Sequence, residues 1–260
     1  MTIATTSRKA SRSLVQHAPV LAFALAGTAV VLLALAPLGW RAGWWHFRVS
    51  LLTLLPWAAY FGVAALIVSA VTIVLGPSRM GWRGIAIAAA AFAIGALIAY
   101  VPWHYDQLRR TVPPIHDITT DAEHPPAFSA AIAALRTEEH DNATAYDGSK
   151  LAELQRQAYP DIAPLIVSLA PDAAFNRALD TARQMGWTIV AADDKSGEIE
   201  ATDQSRWMGF TDDIVIRVAK ADAGSRIDLR SSSRLGRSDF GVNAARVRAY
   251  LARLRADAAG

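Results

Sequence analysis

Hydrophobic positions follow two different rules on either side of residue 103. Before it lie three long apolar runs without a single charge, Ala18 to Gly39, Leu51 to Leu75 and Gly84 to Val101. Each reaches the roughly 18–25 residues that about 30 Å of hydrocarbon requires at about 1.5 Å of rise per residue. A soluble helix of that length would carry a polar face. The tryptophans Trp40, Trp44, Trp45, Trp82 and Trp103 fall at the edges of these runs, with Tyr100 and Tyr105 beside the last. Amphipathic rings collect at that depth of a bilayer. The pattern predicts three membrane-spanning helices.

After Pro164 the period shortens. Leu165 to Leu169 reads as a strand, and Pro171 opens a helix to Gln184 or Met185, with Ala174, Phe175, Ala178, Ala182 and Met185 on one face and Gly186 as its stop. Trp187 to Ala192 and Glu198 to Thr202 are strands around the turn Asp193 to Gly197. Asp213 to Ala219 and Arg226 to Ser232 are two more. A helix from Asp239 to Arg255 closes the chain, with Phe240, Ala244, Val247, Leu251 and Leu254 as its apolar stripe. The fold class is therefore a membrane-anchored α+β protein. Three transmembrane helices precede a β-α-β-β-β-β-α domain with a mainly antiparallel sheet.

Charge sharpens the division. Residues 1–103 hold seven Lys or Arg and no acid, and residues 104–260 hold nineteen basic and twenty-three acidic residues. The net charge of +3 is the sum of these two unlike halves, so a basic total is no nucleic-acid footprint. Four regions follow: a cytoplasmic basic tail (1–17), the three-helix region (18–103), an acidic Pro-containing connector (104–161) and the α+β domain (162–260). Counting Arg and Lys in the flanks gives five against four in favour of a cytoplasmic N-terminus. An odd number of spans then puts the domain outside the cytoplasm, in a bacterial inner-membrane protein. A cleavable leader is the rival reading of the first run, with Ala34-Leu35-Ala36 as its cleavage site; Pro37 as the next residue opposes it.

Several chemistries are excluded or weakened. There is no cysteine, hence no disulfide, thiolate site or Cys nucleophile. The apolar runs contain no Asp, Glu, Lys, Arg or His, which speaks against an ion path. Ala86, Ala90 and Ala91-x-x-x-Gly95 allow close helix contact, within the chain before any dimer. The connector brings His104, His116, His124 and His140 among Asp117, Asp121 and Glu123, but at no spacing of a known metal site. A solvated linker is the plainer reading. Asp203, Asp212 and Asp213 could form an acidic cluster, with ordinary turn carboxylates as the alternative. Asp239-Phe240-Gly241 matches a kinase tripeptide by letters alone. No catalytic residue, metal or cofactor emerges.

Strand alternation puts Ile199, Ala201, Ile214, Ile216, Val218, Ile227 and Leu229 toward the helices. Glu200, Thr202, Asp213, Arg217, Arg226, Asp228 and Arg230 take the other face. That face is expected to be wet, either a solvated set of ion pairs or a polar binding floor. It continues into Arg230-Ser-Ser-Ser-Arg234 and Arg237-Ser238-Asp239, where Ser238 stands as N-cap of the last helix. Arginine forks beside a helix N-terminus suit anions. The candidate ligand site is Arg217, Arg230, Ser232, Arg234, Arg237, Ser238 and Asp239, with Glu200 and Asp228 on the adjoining face.

The blocks Pro113 to Asp121, GEIEATDQSRWMGFTDDIVIRV (Gly197 to Val218) and SRIDLRSSSRLGRSDFGVNAARVRAYL (Ser225 to Leu251) resemble domain-of-unknown-function family 1499, over roughly Pro113 to Leu254. The resemblance implies N-terminal membrane helices and a domain that includes Pro113 to Phe128. It implies no catalytic residue or cofactor. The expected function is display of an extracytoplasmic domain that binds an anionic small molecule, a headgroup or an envelope protein partner, with the lipid bilayer as a partner and no nucleic acid. The alternative is a membrane-anchored enzyme using Glu200, Asp203, Asp213 or Asp228 as acid/base, with Arg217, Arg230 or Arg234 fixing an anionic substrate.

Overall fold

The computed structural model describes residues 3–75, 80–136 and 141–259, with side chains for 17–75, 80–136 and 141–256. Arg79 and His140, and the side chains of Arg8, Lys9 and Arg12, lie outside the described residues. The chain forms two compact units, Met1–Gln107 and Leu108–Gly260.

In the first unit, α1 (Ile3–Arg41) is followed by a short α2 (Phe47–Val49), a π-helical turn (Ser50–Leu54) that runs on into α3 (Leu55–Leu75), and α4 (Trp82–Thr111). Three segments are long and apolar enough to cross a membrane: His17–Arg41, Phe47–Leu75 and Trp82–Thr111. Small residues bring them together, with Ala22, Ala26, Ala65 and Ala91 sharing one buried cluster. A Cβ on Gly95 would come within 2.6 Å of the Gly62 carbonyl oxygen. Gly95 therefore serves a close contact between α3 and α4 inside the chain.

The second unit is built on a six-stranded antiparallel sheet of order β1-β6-β5-β4-β3, with β2 also paired to β6. Its strands are β1 (Asp117–Thr119), β2 (Leu165–Val167), β3 (Thr188–Asp193), β4 (Glu198–Gln204), β5 (Thr211–Ala221) and β6 (Gly224–Ser233). The helices are α5 (Ala130–Leu135), α6 (Gly148–Ala158), α7 (Pro171–Gln184) and α8 (Val242–Ala259). From β2 onward the order is the expected one. The core lies between the sheet and α7 and α8, where Ile199, Ile214, Ile216, Ile227 and Leu229 meet Ala174, Phe175, Ala178, Val247 and Leu251. Trp187 stacks on Tyr250 at 5.1 Å between ring centroids, and the Tyr250 hydroxyl donates to the Ala178 carbonyl.

Two local expectations are corrected. The last helix starts at Val242 rather than Asp239, because Phe240 and Gly241 take the positive φ angles of 54° and 84°. Phe240 thus leaves the apolar stripe and is exposed, while Tyr250 joins the core. The connector also supplies a strand: β1 pairs with the end of β6, Asp117 opposite Ser232 and Thr119 opposite Arg230.

Candidate functional site

Most of the expected wet face is covered, with Arg217 and Arg226 at its margin still partly exposed. Residues 113–136 and 141–147, which include β1 and α5, form a strap whose polar groups bond to the second face of the sheet, so Asp117, Glu200, Asp213, Asp228, Arg230 and Ser232 are all buried. Taking a charge out of water is tolerable when it is paired and its remaining donors are satisfied, and the strap meets that condition. Arg230 forks onto Asp117, Nε to Oδ1 at 3.0 Å and Nη2 to Oδ2 at 2.7 Å. Its remaining N–H groups reach the carbonyls of Pro126 and Thr144. The guanidinium lies 4.6 Å from the Phe128 ring centroid and 5.4 Å from that of Tyr146, both cation–π distances.

The other arginines of the predicted site are committed in the same way. Arg234 forks onto Asp213, which also accepts from Arg136, and Arg234 donates further to the Leu135 carbonyl. Arg217 and Arg226 both donate to Asp228 and to Asp121. Burial opposes ionisation of Asp121, but the N–H groups of His124 and Glu123 and the two guanidinium groups outweigh it and hold its carboxyl below the usual range. Glu200 accepts the N–H and hydroxyl of Ser129, the N-cap of α5. Ser232 is fully buried on this face and its Oγ has no hydrogen-bond partner among the described residues. The Arg/Ser motif is mostly an internal ion-pair layer.

Around the last helix the roles are also redistributed. Ser238 Oγ accepts from Phe240 N at 3.4 Å, and Asp239 does the capping, accepting from Gly241 N at 2.8 Å and Asn243 N at 2.7 Å. A carboxylate of the chain itself thus occupies the anion position of that helix. Burial pushes the Asp239 carboxyl up and Asp212 adds to the rise, against the capping N–H groups. Arg237 is the exception in the motif: it is exposed and has no ion pair among the described residues.

The acidic cluster is divided by the sheet, since successive residues point to opposite faces. Asp213 faces the strap. Asp203 and Asp212 face α8, where Arg246 pairs with both, at 3.0 Å and 2.6 Å. Arg246 also donates to Asn243 and Ser231. Among the described residues no group of three or more His, Asp or Glu is placed to hold a metal ion. A cleft of about 340 Å³ lies between the strap and Arg226, bordered by Asp121, His124, Arg156 and Tyr159; Arg226 and Arg156 are already paired there, with Asp121 and Glu153.

Asp117, Asp121, Arg136 and Arg246 are the ion-pair partners that reading the strands alone missed. One signal was present. The connector holds ten acids against five bases, and Ser225 to Arg255 holds eight arginines against two acids. Those complementary excesses meet in the layer.

The two ends of the sheet differ as well. At one end lie the β3–β4 and β5–β6 turns, with Asp193, Asp194, Glu198 and Asp222 exposed beside Lys195 and Lys220. At the other, Arg234 N donates to the Thr211 carbonyl and Asp239 N to that of Ile115. This gathers the 205–210 turn, the 234–241 loop and the start of the domain; Val112, one residue past α4, approaches Gly241. Here Arg206 and Arg237 are exposed, with Trp207 at 41%, Phe240 at 36% and Val242 at 49% exposure. This is the tether end.

Three apolar membrane helices followed by an antiparallel α+β domain define a membrane-anchored protein of the α+β class. The chain belongs to the family described as Protein of unknown function (DUF1499), whose model matches residues 117–254. The match begins at β1, so the strap is part of the family's domain. A comparison with curated proteins finds no match.

Proposed function

We propose that the protein is a non-enzymatic binding module, held by its three helices with the domain outside the cytoplasm, that engages an anionic partner through the tether end. The observation that carries this reading is the contrast among the arginines. Arg217, Arg226, Arg230 and Arg234 are neutralised by Asp117, Asp121, Asp213 and Asp228, whereas Arg237 is exposed and has no ion pair among the described residues, at the end of the sheet where Trp207 is exposed too. The paired layer makes a rigid body; the tether end remains available for recognition. An acid/base role for Asp213 or Asp228 would need open space beside the carboxylate, and guanidinium groups fill it.

Ion exchange tests the reading. The detergent-solubilised full chain binds a sulfonate resin through its tether end, so an Arg206→Ala/Arg237→Ala variant elutes at clearly lower salt than a Lys195→Ala/Lys220→Ala variant, which loses the same charge from the opposite end. Equal elution of the two variants overturns the proposal. A reporter active only in the cytoplasm, fused after Gly260, stays silent if the domain lies outside.

A further inference from the structure

The two edges of the domain's sheet are finished in opposite ways. Along β6 the outer positions are taken by β1 and β2, three residues each, and Pro164 stands directly before β2. Short strands and proline keep an edge from recruiting another strand. β3 forms the other edge and pairs with β4 alone. It runs for six residues, and the stretch from Trp187 to Ala192 contains no charge and no proline. Thr188, Ala191 and Ala192 are exposed. A register shift between Ile189 and Ala191 is its only blunting device among the described residues. An edge strand turns part of its backbone N–H and C=O groups outward. Among the described residues, no backbone hydrogen bond outside the β3–β4 ladder reaches Thr188 to Ala192.

A second uncovered surface adjoins that edge. Ser129, the N-cap of α5, bonds to Glu200, whose cross-strand neighbour on β3 is Ala191, and α5 lies against β3 on the strap side. Only Ile132 of α5 is buried; Ala130, Ala131, Ala133, Ala134 and Leu135 are exposed. A helix that is apolar on every side is ordinarily a covered one. We infer that the β3 edge is the seam of a homodimer, in which β3 of one copy pairs antiparallel with β3 of another and the two sheets become one. Symmetry selects this occupant. The two-fold axis of an antiparallel strand pair stands perpendicular to the sheet, so strap face continues into strap face and each α5 meets its copy beside the seam. A lone extended peptide would satisfy the edge and leave α5 bare. Charge favours the same direction. An end-to-end antiparallel register sets Thr188 against Asp193 and Val190 against Ala191 across the seam, whereas a parallel one sets Asp193 against Asp193. The antiparallel register also brings Asp193 and Asp194 to the end of β3 where Arg183 closes α7, held only by an exposed Asp180. A seam at β3 requires nothing of the tether end.

Light scattering of the detergent-solubilised full chain reads its mass. The wild type should run as a dimer, and Ala191→Lys, which puts a charge into the seam, should weaken that dimer at least several-fold. Ile166→Lys adds the same charge at an exposed position of β2 and should leave the dimer as tight as before. Near-ultraviolet circular dichroism of the Trp187–Tyr250 stack, next to β3, reports that both variants are folded. The chain has no cysteine, so a single introduced thiol is unambiguous. In membranes a short bismaleimide should link Ala192→Cys chains into dimers and leave Ile166→Cys chains single. A wild type that is monomeric when pure overturns the inference and leaves the edge to an extended segment of another protein. A dimer that Ala191→Lys weakens no more than Ile166→Lys does is held elsewhere in the chain, and overturns it equally.

Discussion

Across the same strands, Ile214, Ile216 and Leu229 turn toward α7 and α8, while Asp213, Arg217 and Arg230 turn toward the strap. Asp213 and Arg230 are as buried as the isoleucines, with Arg217 partly exposed, and the physics of each face is different. Apolar burial stabilises without regard to direction and in proportion to area. The charged face holds only while every donor has its acceptor, because an unpaired buried ion is far costlier than a missing methyl group. One face tolerates shuffling, and the other demands a particular cover. The cover is the strap, whose Asp117 and Asp121 lie 96 to 113 residues before the arginines that they bind.

The contrast is sharpest at Arg230. Arg230→Met strands Asp117 without its fork and frees the carbonyls of Pro126 and Thr144. The expected cost is about 3–5 kcal/mol, read by denaturant unfolding of the full chain in detergent through the Trp187–Tyr250 signal. Removing both charges together, Arg230→Met with Asp117→Leu, should recover most of that loss, since a packed apolar pair avoids desolvation. If the double variant were as unstable as the single one, pairing would not be what holds the strap. On the other face Ile216→Ala, fully buried, should cost about 2–5 kcal/mol by transfer and cavity terms, with no single partner able to restore it.

The apolar side of this comparison could be read from the chain, and the charged side only halfway. Period-2 alternation assigns Ile214 and Arg217 to opposite faces whatever covers them. Whether a face is wet depends on a segment about a hundred residues away, and no local pattern encodes that. Asp117-Ile118-Thr119 is too short to announce a strand by periodicity; β1 exists because β6 offers it a partner. Phe240 looked like the first member of a helical stripe. The αL conformation of Phe240 and Gly241 moved the helix start past it, and side-chain spacing carries no information on φ. The membrane helices were legible throughout, since length and the absence of charge decide them without any tertiary partner.

Alkali should separate the two faces next. Burial and the neighbouring Asp117 push the Tyr146 phenol up to about 12 from its ordinary 10. The folded state thus favours the neutral phenol, and that contribution is whole below pH 10 and disappears as the pH climbs through 12. The loss is on the order of 2 kcal/mol, and it falls on the strap because the Tyr146 ring lies over Arg230. Tyr146→Phe should flatten this part of the stability profile and remove one late-titrating phenolate from the absorbance titration. An unchanged alkaline profile in the variant would place the transition elsewhere, Tyr159 and Tyr250 being the other phenols of the domain that burial raises.

The smallest effect should come from an ion pair that looks just as good on paper. Arg248 forks onto Asp161 with both contacts at 2.6 Å, closer than any contact made by Arg230 with Asp117. Yet the two side chains are 43% and 55% exposed, against 2% and 3% for Arg230 and Asp117. Water and salt screen the outer pair, and water solvates whichever partner is left when the other is removed. Arg248→Ala should therefore cost about 0–1 kcal/mol, including its contact with the Tyr159 ring, and less at high salt. Arg230→Met should be nearly indifferent to salt. If the two substitutions cost the same, geometry would be setting the energy. The strap would then hold the sheet by shape, and the arginines beneath it would be passengers.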